Sequence, residues 1–194
     1  MNLLQESLYW ITSGLLVPCI VFLLFMLVQC LLAIGQYLAN KGNEAGAIET
    51  LEQWVSSSEL TQDSLPKSID KLASYACLKK ILASRDFALN RLFVSQYESG
   101  IEKHLSRFSF FAKLGPITGL VGTLIPMGPA LKGLADGNIQ ALAGQMQIAF
   151  TTTVIGLIVG AIGLTLYQKH KRQAFKELAI IDFILEQQEV ACEK

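Results

Sequence analysis

Three stretches of the chain carry no charged side chain: Leu8–Asn40 with its apolar centre at Ile11–Ile34, then Leu114–Leu131, then Gly137–Gln168. A bilayer core is crossed by about 20 apolar helical residues, so each stretch is expected to form a transmembrane helix. The first and third exceed that length and are expected to tilt or to project beyond the lipid. The second is marginal alone and is extended by the apolar Phe108–Ala112 before it. The Gly133–Asn138 connection is short and polar, which makes the second and third spans antiparallel neighbours. The first stretch does not read as a signal peptide. Met1–Leu8 has no Lys or Arg and the apolar run is too long, so it is expected to be retained.

Between the spans the pattern changes to helical amphipathicity. Ala47, Ile48, Leu51, Trp54 and Val55 share one face of a helix that the Ser56-Ser57-Ser58 run and Pro66 are expected to break. A second, longer helix is expected from near Ser68. Its stripe of Leu89, Phe93, Tyr97, Ile101, Leu105 and Phe108 runs into the second span, with one interruption expected near Gly115-Pro116. After Lys169, Phe175, Leu178, Ile181 and Leu185 place a helix in the tail. The loop is too short to bury much of a core alone. The sequence thus predicts an all-α membrane protein of three transmembrane helices with long helical extensions. Its parts are residues 1–38 (N-terminal segment and first span), 39–108 (helical loop), 109–172 (spans two and three) and 173–194 (C-terminal helix).

Charge fixes the expected orientation. Only 16% of residues are charged, against roughly 25% in soluble domains, and the net charge is zero. Of 16 Lys and Arg, ten lie between Lys41 and Lys113 and five follow the third span; Lys132 alone falls in the short connection. The positive-inside rule places the N-terminus outside and the long loop and tail in the cytoplasm. Anionic headgroups account for the remaining basic bias. Cys19, Cys30, Cys77 and Cys192 have no CxxC spacing and read as reduced or apolar fillers. His104 and His170 read as isolated, solvated juxtamembrane residues.

Small residues and hydroxyls mark the inner faces of the second and third spans. Gly115, Gly119 and Gly122 recur at helical spacing, and Thr123 adjoins them. In the third span Ala149, Thr153, Gly156, Gly160 and Gly163 form a matching stripe. Glycines at this spacing let two helices approach closely. The threonines of Thr151-Thr152-Thr153 suit either packing or a wet path, because a Thr hydroxyl can also bond to its own helix. Pro116, Pro126 and Pro129 each remove a backbone donor, and kinks are expected at Pro126 and Pro129 against protein or a cavity. No span core contains Asp, Glu, Lys, Arg or His. A proton relay needs a titratable group, so any such carboxylate must come from another chain.

Leu114-Gly115-x-x-x-Gly119-Leu120-Val121-Gly122-Thr123 resembles the LGLLGTV signature of the MotA/TolQ/ExbB proton channel family. Ala149-Phe150-Thr151-Thr152-Thr153-Val154-Ile155-Gly156-Leu157 resembles its signature in the next span. The likeness covers about residues 90–172 and includes the order and topology of the spans. It implies a pentamer of ExbB- or TolQ-like subunits around two copies of a single-span ExbD- or TolR-like partner, whose transmembrane Asp carries the proton. By motif position it implies that Thr123 and Thr153, with Thr152 beside them, line the ion path. It implies a bacterial or archaeal inner membrane and proton-driven work across the envelope. The proline pair of Pro126-Met127-Gly128-Pro129 departs from the family pattern. The Leu-Ile-Pro-Met-Gly-Pro run resembles a subgroup associated with a cobaltochelatase-like large protein, which implies haem, cobalamin or other tetrapyrrole uptake.

The alternative on residues alone is a non-conducting scaffold that anchors a partner enzyme. An enzyme is disfavoured: the chain has no HExxH, GxSxG, nucleotide loop or paired intramembrane carboxylates. No cofactor or metal is expected. Nucleic-acid binding is disfavoured because Asp86, Glu98 and Glu102 interrupt the basic residues. Sodium is a possible coupling ion, but the lack of a polar cage beyond threonines favours protons.

Overall fold

The structure, a computed structural model, describes residues 2–56, 66, 69–70, 72–84 and 86–192. The described residues form four α-helices: α1 Asn2–Ser56, α2 Tyr75–Ala83, α3 Phe87–Ala135 and α4 Ile139–Cys192. Three of these are long and apolar enough to cross a membrane, with candidate spans at Gly14–Ala39 and within α3 and α4. This is an all-α membrane protein.

The chain divides into two compact units. One comprises Met1–Ile34 and Arg107–Tyr167; the other comprises Gly35–Ser106 and Gln168–Lys194. The first holds the charge-free segments. Its core joins α1 to α3 and α4 through buried Met26, Cys30, Phe111 and Val159. The Cys19 thiol lies 3.7 Å from the Thr118 carbonyl oxygen and the Cys30 thiol 3.9 Å from that of Val159. Both cysteines are free and buried, so they pack as small apolar groups.

The second unit has its own core. Leu51 and Trp54 of α1, Leu78 and Ile81 of α2, Val94 of α3 and Ile181, Ile184 and Leu185 of α4 are buried together. The loop therefore does not close a core by itself; the α4 tail completes it. Burying each of these large side chains contributes about 1.5–3 kcal/mol.

Three local expectations are corrected. The Ala47–Trp54 face belongs to the same helix as the first span. Nothing between Asn40 and Ala47 stops α1, and its two glycines there, Gly42 and Gly46, are tolerated in helix. The long second helix is two helices separated at Ser84–Asp86. Asp86 Oδ1 accepts from the backbone N–H groups of Ala88 at 3.0 Å and Leu89 at 3.5 Å, so it caps the start of α3. The expected interruption at Gly115-Pro116 is absent: α3 is continuous through Pro116, Pro126 and Pro129. At Pro116 the ring packs directly on α4: a Cβ on Gly160 would lie only 2.6 Å from it. The ring occupies the notch that glycine leaves. The break expected at Ser57–Ser58 and the helix start at Ser68 lie outside the described residues.

The turn between α3 and α4 follows from Asp136-Gly137-Asn138. Gly137 has φ 72°, a left-handed conformation that costs a non-glycine residue about 1 kcal/mol or more. Its N–H donates to the Leu134 carbonyl at 3.1 Å, and the Asn138 N–H donates to that of Gly133 at 2.8 Å. These two bonds are a Schellman closure of α3. Asn138 Oδ1 then accepts from Ala141 N–H at 3.0 Å and caps α4.

Candidate functional site

The candidate site is the seam between α3 and α4 inside the first unit. A Cβ on Gly115 would meet Gly160 N at 2.7 Å and Gly156 O at 2.8 Å. One on Gly119 would lie 3.1 Å from Gly156 Cα and 3.2 Å from Thr152 O, and one on Gly156 would lie 2.7 Å from Gly119 Cα. The two backbones are in direct contact, which side chains at these positions would forbid. The seam continues one way to Gly163, where a Cβ would meet Ala112 N at 2.6 Å, and the other way to Gly133 against Ala141. The antiparallel order follows from the short Schellman turn.

The threonines occupy one level of this seam. Thr152 is 4% exposed, and its Cβ and Oγ1 would each lie 2.8 Å from a Cβ on Gly122. Its hydroxyl donates to the Ala149 carbonyl at 2.9 Å. Thr153 is half-buried; its hydroxyl donates to the same carbonyl at 3.1 Å, and its Cα borders Gly119. Thr123 is half-buried next to Gly122 and donates to the Leu120 carbonyl at 2.6 Å. Contact between Gly122 and Thr152 thus brings the three hydroxyls to a common level. Thr118, missing from the sequence-derived set, sits one turn away and donates to Leu114 O at 2.8 Å. Its position in the run Pro116-Ile117-Thr118-Gly119 was the available signal.

Pro126 is fully buried beside these residues and Pro129 is half-buried. Proline has no N–H, so the Gly122 and Ile125 carbonyls lose their in-helix donors. Flanking the threonines, Leu120, Leu124, Phe150, Val154 and Leu157 are exposed. The level is a polar strip between apolar surfaces, suited to lipid or to other helices.

The second unit contains titratable residues that the sequence did not single out. Glu177 is 2% exposed. Its Oε2 accepts from Tyr97 OH at 2.6 Å and from Ser74 N–H at 3.1 Å, and its Oε1 accepts from Gln173 at 3.2 Å. Burial, then the Glu177 carboxylate, push the Tyr97 phenol far above its ordinary pKa. His104 and His170 are not isolated: their rings meet edge-to-face at 5.5 Å, and Tyr37 packs on His170 at 5.7 Å. Burial, then the neighbouring His104, lower the His170 pKa. Amphipathic periodicity hides such partners, because it places residues on a face without saying which helix meets that face.

No curated protein and no solved structure matches the chain. The family model for the MotA/TolQ/ExbB proton channel family matches residues 87–182. That region holds α3, the turn, the α4 seam and every threonine at its polar level. Over residues 87–182 the chain belongs to the MotA/TolQ/ExbB proton channel family.

Proposed function

We propose that the protein is the multi-span subunit of a proton-driven energy-coupling complex and not an enzyme. Several copies, five by analogy with ExbB and TolQ, surround a single-span ExbD- or TolR-like partner in the inner membrane. The N-terminus lies outside, and the loop and tail lie in the cytoplasm. The partner's transmembrane Asp supplies the titratable group that the charge-free segments lack. Thr123 and Thr153 offer hydroxyl oxygens along its path. The observation that supports this reading is the level of Thr123, Thr152 and Thr153 on the α3–α4 seam. Uptake of haem or another tetrapyrrole, with a cobaltochelatase-like large protein, is the process we assign to it from the Leu-Ile-Pro-Met-Gly-Pro run.

A second reading is a non-conducting scaffold that anchors a partner enzyme. It is favoured by the same hydroxyls, since each donates to a carbonyl of its own helix. Proton flux into vesicles containing the co-purified complex separates the two. Thr153→Val is expected to lower flux with subunit stoichiometry by native mass spectrometry unchanged. Undiminished flux in a correctly assembled Thr153→Val complex removes the assigned role, and no flux in the native complex favours the scaffold.

A further inference from the structure

In the second unit α3 and α4 part to leave a cavity of about 480 Å³. The gap has a cause in the sequence. Gly100 and Ala174 face it with almost no side chain, and a Cβ on Gly100 would meet nothing within 4 Å. Ile101 and Leu105 give it apolar walls, the Tyr97–Glu177 pair closes one end, and His104 with His170 lines the other. Size and lining are those of a small-molecule site: mostly apolar, with a few polar groups that fix orientation.

Glu177 gives the cavity its chemical preference. Its carboxylate is almost wholly shielded from water, yet among the described residues the groups that bond it, a phenol, an amide side chain and a backbone N–H, are neutral. Buried charges are ordinarily matched by an opposite charge. A cation in the adjoining cavity would supply that match. The walls at Ile101 and Leu105 would cover carbon, so a bare metal ion fits poorly and an organic cation fits well. Among the described residues no group of three metal-ligating side chains competes for this assignment.

We propose that this cavity binds a small organic ammonium, its charge toward Glu177 and its carbon skeleton against Ile101 and Leu105. The site lies wholly in the second unit, and the proposal does not rest on proton conduction.

The test uses the full chain in neutral detergent and fluorine NMR line broadening of three probes: 4-fluorobenzylammonium, 4-fluorobenzyl alcohol and 4-fluorobenzoate. The ammonium is expected to bind and the other two are not. Glu177→Gln is expected to weaken it by about tenfold or more. Gly100→Leu, which fills open space and so leaves the fold intact, is expected to abolish it. Equal broadening of all three probes overturns the proposal. So does ammonium binding that survives Gly100→Leu, whether or not Glu177→Gln folds.

Discussion

Thr152 sits in the space that a side chain on Gly122 would occupy: the Thr152 Cβ and Oγ1 both lie 2.8 Å from where that Cβ would be. The pair is a lock between α3 and α4. The hydroxyl donates to Ala149 O within its own helix, while its oxygen packs against Gly122 as closely as the Cβ does and the methyl lies slightly farther, at 3.3 Å. The threonine therefore serves closeness first and polarity second. At this level a threonine on α4 faces a glycine on α3, whereas farther along the seam Gly115 faces Gly156 and Gly160.

Gly122→Ala should push the helices apart at this lock. Overpacking of this kind costs about 1–3 kcal/mol. Gly144→Ala in α4, where a Cβ meets nothing within 4 Å and no proline follows, should be neutral or slightly stabilising. Thermal unfolding in detergent reads the difference. Combining Gly122→Ala with Thr152→Gly should recover much of the loss, since Thr152 meets the added methyl through its Cβ as well as its hydroxyl and only glycine removes both. A double variant as unstable as Gly122→Ala alone would mean that the clash is with backbone.

How much of this was legible beforehand differs between the units. In the first unit the spacing of Gly115, Gly119, Gly122, Gly156 and Gly160 is enough to expect a close antiparallel pair, because nothing but shape and hydrogen bonding selects contacts in lipid. The depth of Thr152 was not legible: Thr152 and Thr153 differ by one helical step, and only the Gly122 notch decides which is buried. In the second unit the stripes of α3 and α4 were visible. Their partners were not, since one apolar stripe accepts another on hydrophobicity alone. Glu177 lies on a helix rich in charged residues and reads as solvated until Tyr97 and Ser74 are placed against it. The α2–α3 break depended on Asp86 acting as a cap, a short-range signal weaker than the amphipathic stripe on either side.

The Tyr97–Glu177 bond pins three elements at once, because Ser74 at the head of α2 donates to the same oxygen. Tyr97→Phe keeps the ring and removes only the donor. A hydrogen bond to a charged group contributes about 1.5–3 kcal/mol, and leaving part of a buried carboxylate without its donor should cost within that range. The loss should be local to the second unit. Hydrogen exchange should therefore rise in α2 and in the 173–185 stretch of α4, with amides of the α3–α4 glycine seam unchanged. Uniform acceleration along the whole chain would instead mean that the two units unfold together.

His170 makes the second unit sensitive to acid. It lies just past Lys169, outside the charge-free block, and burial followed by the nearby His104 depresses its pKa below the ordinary value of 6.5. The folded state therefore resists taking a proton that the unfolded chain accepts. Stability from this source is fully present above about pH 6.5 and is lost as pH falls through the lower folded value. Among the described residues His104 and Tyr37 pack on the ring, and neither is an acid that would welcome the charge. The melting temperature of the native protein should fall between pH 6.5 and 5, and that of His170→Gln should fall less over the same interval. His104→Gln should have an intermediate effect, because it removes the smaller of the two causes and leaves the burial. Parallel pH profiles for all three proteins would show that the acid sensitivity originates elsewhere, with the carboxylates.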